Sequence, residues 1–336
     1  MKALIEDIAC AFPATRVSNR DLRVDHPDWD FNRLEERTGV FERHIASPGE
    51  TALDFAVQAW GQIMAEGRFS ADEIDAVIFC TQTPDFIITP NACLLHGCLG
   101  LRPEVLAFDT NLACSGYIYG LQIAQSLIQS GAARLVLLAT GDTYSRLIHP
   151  GDRSTRCLFG DGGAVSIIGP SQDDRGILDI SCGTAGKEYK RFLISAGGMR
   201  HPRSEETAAE VRDQSGNIRT AEHITMDGLG VLSFFNATIP REVEKIMRRN
   251  GLTASDIDLF IFHQASQVVL DSLRRLLKLP EEKVVYDLSD VGNLVSAAIP
   301  VALSRAMAVG RARPGQLLLL CGFGAGLSWG TALVRL

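Results

Sequence analysis

Apolar residues in this 336-residue chain gather in short runs separated by amphipathic stretches. The run from Ala3 to Phe12 predicts a first strand that ends at Pro13. Two longer segments then repeat a pattern. Residues 69–83 read FSADEIDAVIFCTQT and residues 252–266 read LTASDIDLFIFHQAS. In each, a small or hydroxyl residue opens a short acidic turn, Ile-Asp follows, and an apolar strand ends in Ile-Phe. One strand delivers Cys80 and the other His263. The repeat continues. Residues 114–140 hold a small-residue turn, an apolar helix (Gly120 to Gln129), a glycine break and the strand Arg134 to Thr140. Residues 293–321 follow the same order, with a helix from Ile299 to Val309 and a strand from Gln316 to Cys321. Strands alternating with helices predict mainly parallel pairing and helix-covered sheets. Two such halves pack naturally face to face as an α/β/α/β/α core. The division falls near residue 170, after the strand Ala164 to Ile168, giving halves 1–170 and 171–336.

Two regions lack this periodicity. Residues 14–50 are irregular, with a helix predicted near Phe31 to Thr38. Residues 184–225 are polar and charged, with turn signals such as Ser215-Gly216-Asn217. They read either as an insertion over the core, forming a lid or tunnel wall, or as a surface excursion.

Composition narrows the class. Hydrophobic residues make up 46% and charged residues 22%, a globular balance. A net charge of −7 argues against general nucleic-acid binding. No apolar run reaches the ~18 residues of a membrane span, and the N-terminus does not read as a secretory signal. The eight cysteines form no CxxC pair and mostly lie in apolar runs, which predicts reduced thiols and a cytoplasmic location. Cys93 and Cys98 lack a second ligand pair, and their spacing suits a buried helix better than zinc.

Four places carry chemistry. Small residues surround Cys114, and an apolar helix follows at once. A thiol at a helix N-terminus gains a lowered pKa from the dipole and unpaired N–H groups. The alternative is a buried core cysteine. His263 closes an apolar strand at the sheet edge where α/β proteins place their sites, unless it is structural. The turn Val291-Gly292-Asn293 mirrors the Cys114 turn, so the repeat brings Cys114 and Asn293 to facing helix starts beside His263. Finally, Cys321 to Gly330 is glycine-rich but no helix follows it, which excludes a dinucleotide loop. Such a loop can instead present N–H groups to an oxyanion. The turn Phe159 to Ala164 reads as structural.

Taken together, RTGVFERH (37–44), the Cys114 turn, LFGDGGA (158–164), His263-Gln264-Ala265, Gly292-Asn293 and GFGAGLSWG (322–330) resemble the β-ketoacyl-acyl-carrier-protein synthase III family of the thiolase superfamily, nearly end to end. The resemblance implies a duplicated five-layered α/β/α/β/α fold with two mixed sheets. It implies that Cys114 takes an acyl group from a thioester. His263 and Asn293 then stabilise the enolate formed as a malonyl thioester loses CO2, and the N–H groups of Cys114 and Ala325 hold the oxyanion. No metal or redox cofactor is implied; coenzyme A or phosphopantetheine thioesters are substrates. Arg37, Arg153 and Ser266 fall at substrate-binding positions. The chain departs from the family pattern at Arg33, where a tryptophan usually stacks on adenine, at Ser266 (usually Asn) and at Val268 (usually Arg). Trp29 lies four residues before Arg33. These departures favour an acyl carrier protein over acyl-coenzyme A as donor, and a specialised over a housekeeping pathway. Arg274, Arg275 and Lys278, on a predicted helix Val268–Leu279, are a candidate carrier surface or an ordinary solvated face. Thr89 stands where acetyl-restricted members carry Phe, which reaches into the partner's acyl pocket; this implies an acyl group larger than acetyl. A homodimer is implied, with Pro84 to Leu101 as interface, though that segment also fits a core helix. Three readings compete: a papain-like hydrolase, opposed by the repeat; an acyltransferase that does not decarboxylate; and a non-catalytic partner subunit, opposed by the retained cysteine.

Overall fold

The computed structural model describes residues 2–336. The first half supplies β1 (Ala3–Ala11), α1 (Phe31–Thr38), α2 (Ala52–Ala65), β2 (Ala76–Cys80), α3 (Asn91–Leu99), β3 (Leu106–Thr110), α4 (Gly116–Ser130), β4 (Val136–Asp142) and β5 (Gly162–Pro170). The second supplies β6 (Gly176–Thr184), α5 (Gly228–Arg249), β7 (Leu259–Phe262), α6 (Gln267–Leu276), α7 (Ala298–Ala308), β8 (Leu317–Gly324) and β9 (Ser328–Arg335). Short strands occupy the intervening excursions.

Sequence and burial agree in the central strands. Every residue of β2 (AVIFC) and of β7 (LFIF) is buried. A strand covered on both faces needs a continuous apolar run, which is what these segments have in place of alternation. The first sheet has the order β1-β5-β4-β2-β3 and the second β6-β9-β8-β7. The two match strand for strand, and an isolated parallel bridge from Phe260 to Val284 stands where β3 pairs in the first sheet. Helices α4 and α7 contact both sheets and form the middle layer, α2 and α3 cover the outer face of the first sheet, and α5 and α6 the outer side of the second. The fold is therefore the five-layered, duplicated, thiolase-like arrangement.

The expectation of mainly parallel pairing is corrected. β1/β5, β5/β4, β8/β9 and β9/β6 are antiparallel; only β4/β2, β2/β3 and β7/β8 are parallel. The reason is local. Only residues 325–327 separate β8 from β9, too few for the crossover that a parallel partner requires. Apolar periodicity records burial but not strand direction.

Two helix expectations also change. The carrier-surface helix ends at Leu276, and Lys278 lies beyond it with φ 53°, so only Arg274 and Arg275 of the three basic residues are helical. Cys93 and Cys98 sit on α3, yet both thiols are exposed, not buried. No helix among the described residues is long and apolar enough to cross a membrane.

Candidate active site

The nucleophile turn lies between β3 and α4. Gly116 N–H donates to Ala113 O (2.8 Å), and the Cys80 thiol donates to Leu112 O (3.0 Å). Cys114 is buried, two residues before the helix, and its backbone N–H finds no oxygen acceptor among the described residues. The hairpin between β8 and β9 lies directly over it. A methyl group placed on Gly324 would lie 2.7 Å from Cβ and 2.8 Å from Sγ of Cys114, closer than non-bonded carbon and sulfur tolerate. Glycine at 324 is thus what lets the hairpin reach the sulfur. The glycine-rich segment is not one loop after a strand, as expected from the sequence. Residues through Gly324 belong to β8, and Ala325 opens the three-residue turn. The Ala325 N–H also lacks an acceptor among the described residues.

A buried hydroxyl chain links Ser115, the residue after Cys114, to the Ala325 carbonyl. Ser328 Oγ donates to Ala325 O (2.8 Å), so its single proton is committed. Ser115 must then donate to Ser328 Oγ across 2.8 Å. The chain crosses from the first half to the second.

His263 follows β7. Its backbone N–H donates to Cys321 O (2.7 Å), and its ring stands edge-on to Phe323 at 5.7 Å. Burial alone pushes the imidazole down to about 3, so it is neutral at any ordinary pH. Nδ1 is buried without a partner. A proton there would be an orphaned donor, so the ring N–H belongs on Nε2, which makes no hydrogen bond among the described residues.

Asn293 is fixed by its own atoms. Its N–H donates to Leu158 O (2.9 Å) and its carbonyl accepts from Gly160 N–H (3.1 Å). Oδ1 accepts from Val295 N–H (2.9 Å), which leaves the Nδ2 amino group as the outward pole, with one long contact to Ala265 O (3.4 Å). The Phe159 turn is structural, and its specific work is to hold Asn293. Just beyond, Ser296 Oγ donates to Asp142 Oδ2 (2.6 Å), and Asp142 also accepts from Gln82 N–H (2.8 Å). Burial pushes the Asp142 carboxyl up to about 7.

Cys114, His263, Asn293 and Phe323 line one cavity of about 390 Å³. The structure therefore brings together the three residues that the repeat predicted would meet. It corrects the electrostatics of the first: burial pushes the Cys114 thiol well up, with Asp142 adding to the effect, instead of the helix start lowering it.

Family models for the C-terminal part of 3-oxoacyl-[acyl-carrier-protein] synthase III and for the synthase III domain match residues 247–336 and 108–186. A β-ketoacyl-[acyl-carrier-protein] synthase III of Symbiobacterium thermophilum is 36% identical, covering 98% of this chain and 97% of the relative. The chain belongs to the β-ketoacyl-acyl-carrier-protein synthase III family. A crystal structure of a 3-oxoacyl-(acyl-carrier-protein) synthase III superposes with TM-score 0.97 at 41% identity, covering all of both chains. The priming β-ketosynthase of the R1128 polyketide pathway superposes with TM-score 0.86 at 29% identity, covering 99% of this chain and 96% of that one. The reaction of this family is decarboxylative Claisen condensation between an acyl and a malonyl thioester.

In this ketosynthase the cavity opens toward Arg37 and Arg153, and the Ser266 side chain also lines it. Ser266 Oγ doubles as the N-cap of α6, accepting from Val269 N–H (3.4 Å). An adjoining recess groups Arg33 with Arg37 and Arg153, three guanidinium groups at the mouth. Trp29 instead stacks on His26 at 3.8 Å. Thr89 is exposed, with φ 85°, and lines neither cavity of its own chain. The 184–225 excursion forms cavity wall: Ser215 and Asn217 border this cavity, and Arg219 anchors them by pairing with buried Asp152 (2.6 Å). The sequence reading missed Ser115, Ser328, Asp142 and Gly324. Gly326 and Ser328, small residues flanking Leu327 right after the glycine run, were the available signal for a hydroxyl facing the nucleophile.

Proposed function

We propose that residues 1–170 supply the nucleophile and residues 171–336 the donors for this condensation. Cys114 attacks an acyl thioester, the carrier thiol leaves with the proton, and an acyl-Cys114 thioester remains. The N–H groups of Cys114 and Ala325, both without an oxygen acceptor among the described residues, receive the tetrahedral oxyanion. A malonyl thioester enters past Arg37 and Arg153. His263 Nε2–H and Asn293 Nδ2–H donate to its carbonyl as CO2 departs, and the resulting carbon nucleophile displaces the cysteine sulfur. The β-ketoacyl thioester leaves, and a proton restores the thiol. The steps balance without a metal or redox cofactor.

The observation that carries this reading is the pair of neutral donors. A histidine held uncharged by burial and an amide whose oxygen is already engaged give two N–H groups and no competing base. That arrangement suits an enolate, which plain acyl transfer does not form. Exposed Arg275 and Lys278, near Arg274, offer a surface for an acidic carrier protein. Phe86, Ile87 and Ile88 are 60%, 88% and 85% exposed in succession, which supports a homodimer closing over the Pro84–Leu101 segment and carrying Thr89 to the partner's acyl cavity. A small residue there favours an acyl group larger than acetyl. The cytoplasm is the proposed location, and an acyl carrier protein is the proposed donor.

The test supplies acetyl and octanoyl thioesters with carboxyl-labelled malonyl-carrier protein and follows CO2 and product mass. Condensation gives stoichiometric CO2 and a product two carbons longer. Acyl transfer without CO2 selects a non-decarboxylating acyltransferase, and absence of acyl-Cys114 selects a partner subunit. Strict preference for acetyl overturns the size assignment.

A further inference from the structure

A second cavity, of about 430 Å³, lies against the nucleophile turn and is bordered by none of the three arginines. Leu112 and Ala325 border it, the first two residues before Cys114 and the second bearing a proposed oxyanion donor. Phe192 belongs to both cavities. Cys114 itself lines only the first cavity, so an acyl group on it would have to extend past Leu112 and Ala325 to occupy the second.

The walls are not uniformly apolar. Leu147, Ile194 and Ile224 supply hydrocarbon, but Gln82 and Asn111 place two primary amides there. Buried Tyr144 donates its O–H to Gln82 Oε1, fixing which way that amide faces. Gln82 Nε2 then has no acceptor among the described residues, and the Asn111 side chain makes no hydrogen bond there either. Asn111 is exposed and keeps its water, but a saturated hydrocarbon chain would displace water from the N–H groups of half-buried Gln82 and return nothing. An acyl group with an oxygen would satisfy them.

We infer that this cavity selects acyl groups bearing a hydrogen-bond-accepting oxygen beyond the thioester carbonyl, a hydroxyacyl or oxoacyl chain, with the Gln82–Tyr144 pair as the specificity-determining element. This rests on the acyl-Cys114 reading and adds the chemistry of the acyl group to it. Site recognition comes from the oriented amide: Tyr144 holds its oxygen, and its N–H groups are left without a partner among the described residues.

The experiment measures kcat/KM for acylation of Cys114 with butanoyl and octanoyl thioesters and their hydroxy and oxo analogues at successive carbons, on one carrier. The native enzyme prefers at least one oxygenated analogue over its parent by about three- to tenfold, the range of one net hydrogen bond. Replacing Gln82→Leu and Tyr144→Phe together removes both polar groups and reverses the preference. Gln82→Met, unbranched and uncharged, deletes the N–H donors on its own and abolishes the preference. Malonyl decarboxylation, measured alongside, reports folding and the His263–Asn293 site. Equal rates for parent and oxygenated chains, or a preference unchanged in both variants, overturn the inference while leaving condensation intact. Failure of every thioester to acylate Cys114 instead overturns the underlying function.

Discussion

The turn bearing Cys114 and the turn bearing Asn293 occupy equivalent places in the two halves, yet they are held in opposite ways. The first is held by its neighbours: Cys80 grips Leu112 O, and Ser115 reaches Ser328, while the Cys114 N–H and sulfur meet only each other among the described residues. The second is held by the functional residue itself, through its N–H, its carbonyl and its side-chain oxygen. Its neighbour Val295 even takes φ 54°, a left-handed conformation that a β-branched residue adopts only when its surroundings impose it. The difference follows from the chemistry. A nucleophile changes its bonding through the cycle and needs free atoms in a fixed frame. A donor does the same thing each turnover and gains from being immobile.

This contrast can be broken one turn at a time. Cys114→Ala should lower condensation by at least about 10³-fold while malonyl decarboxylation persists, seen as CO2 without elongated product. Asn293→Ala should do the converse: decarboxylation falls by about 10²–10³-fold, while acyl-Cys114 still forms and is detected by intact mass. If either substitution removed both half-reactions equally in a folded protein, the division between halves would fail. Gly324→Ala places a methyl group 2.8 Å from Sγ and should slow acylation by about 10²-fold. The raised thiol gives a pH signature. Below its pKa the thiolate fraction grows tenfold per unit, so acylation by thiolate rises about tenfold per pH unit from 6 to 9, less steeply near 7 where Asp142 ionises and raises the thiol further. His263, already neutral, adds no limb above pH 5. A plateau near pH 7 would show a thiolate stabilised by substrate. Ser328→Ala, which cuts the hydroxyl chain, should cost about three- to tenfold in kcat with KM unchanged. A matching rise in KM would mark a merely structural hydroxyl.

Much of the arrangement was legible beforehand because it is written in short-range pattern. The repeat was visible since both faces of β2 and β7 are buried, making their runs uninterrupted. Cys114, His263 and Asn293 stood out because each ends a strand or opens a turn. What escaped depends on distant chain. The pKa direction at Cys114 is set by packing from residues such as Phe159, Phe192 and Phe323, which no window around position 114 contains. Gln82 and Tyr144 are 62 residues apart, and Ser115 and Ser328 are 213 apart. Lys278 left its helix because the chain turns at Leu277 toward Pro280, a geometry that charge spacing does not record.

Cys93, Cys98 and Cys182 are exposed, whereas Cys114 is enclosed and reluctant to ionise. An electrophile offered to the native enzyme will therefore label bystander sulfurs first, and total thiol modification will overcount working centres. Active-site titration on this protein needs a thioester-shaped reagent or peptide-resolved mass measurement, and covalent inhibitors must gain their selectivity from fit inside the tunnel before they gain it from reactivity.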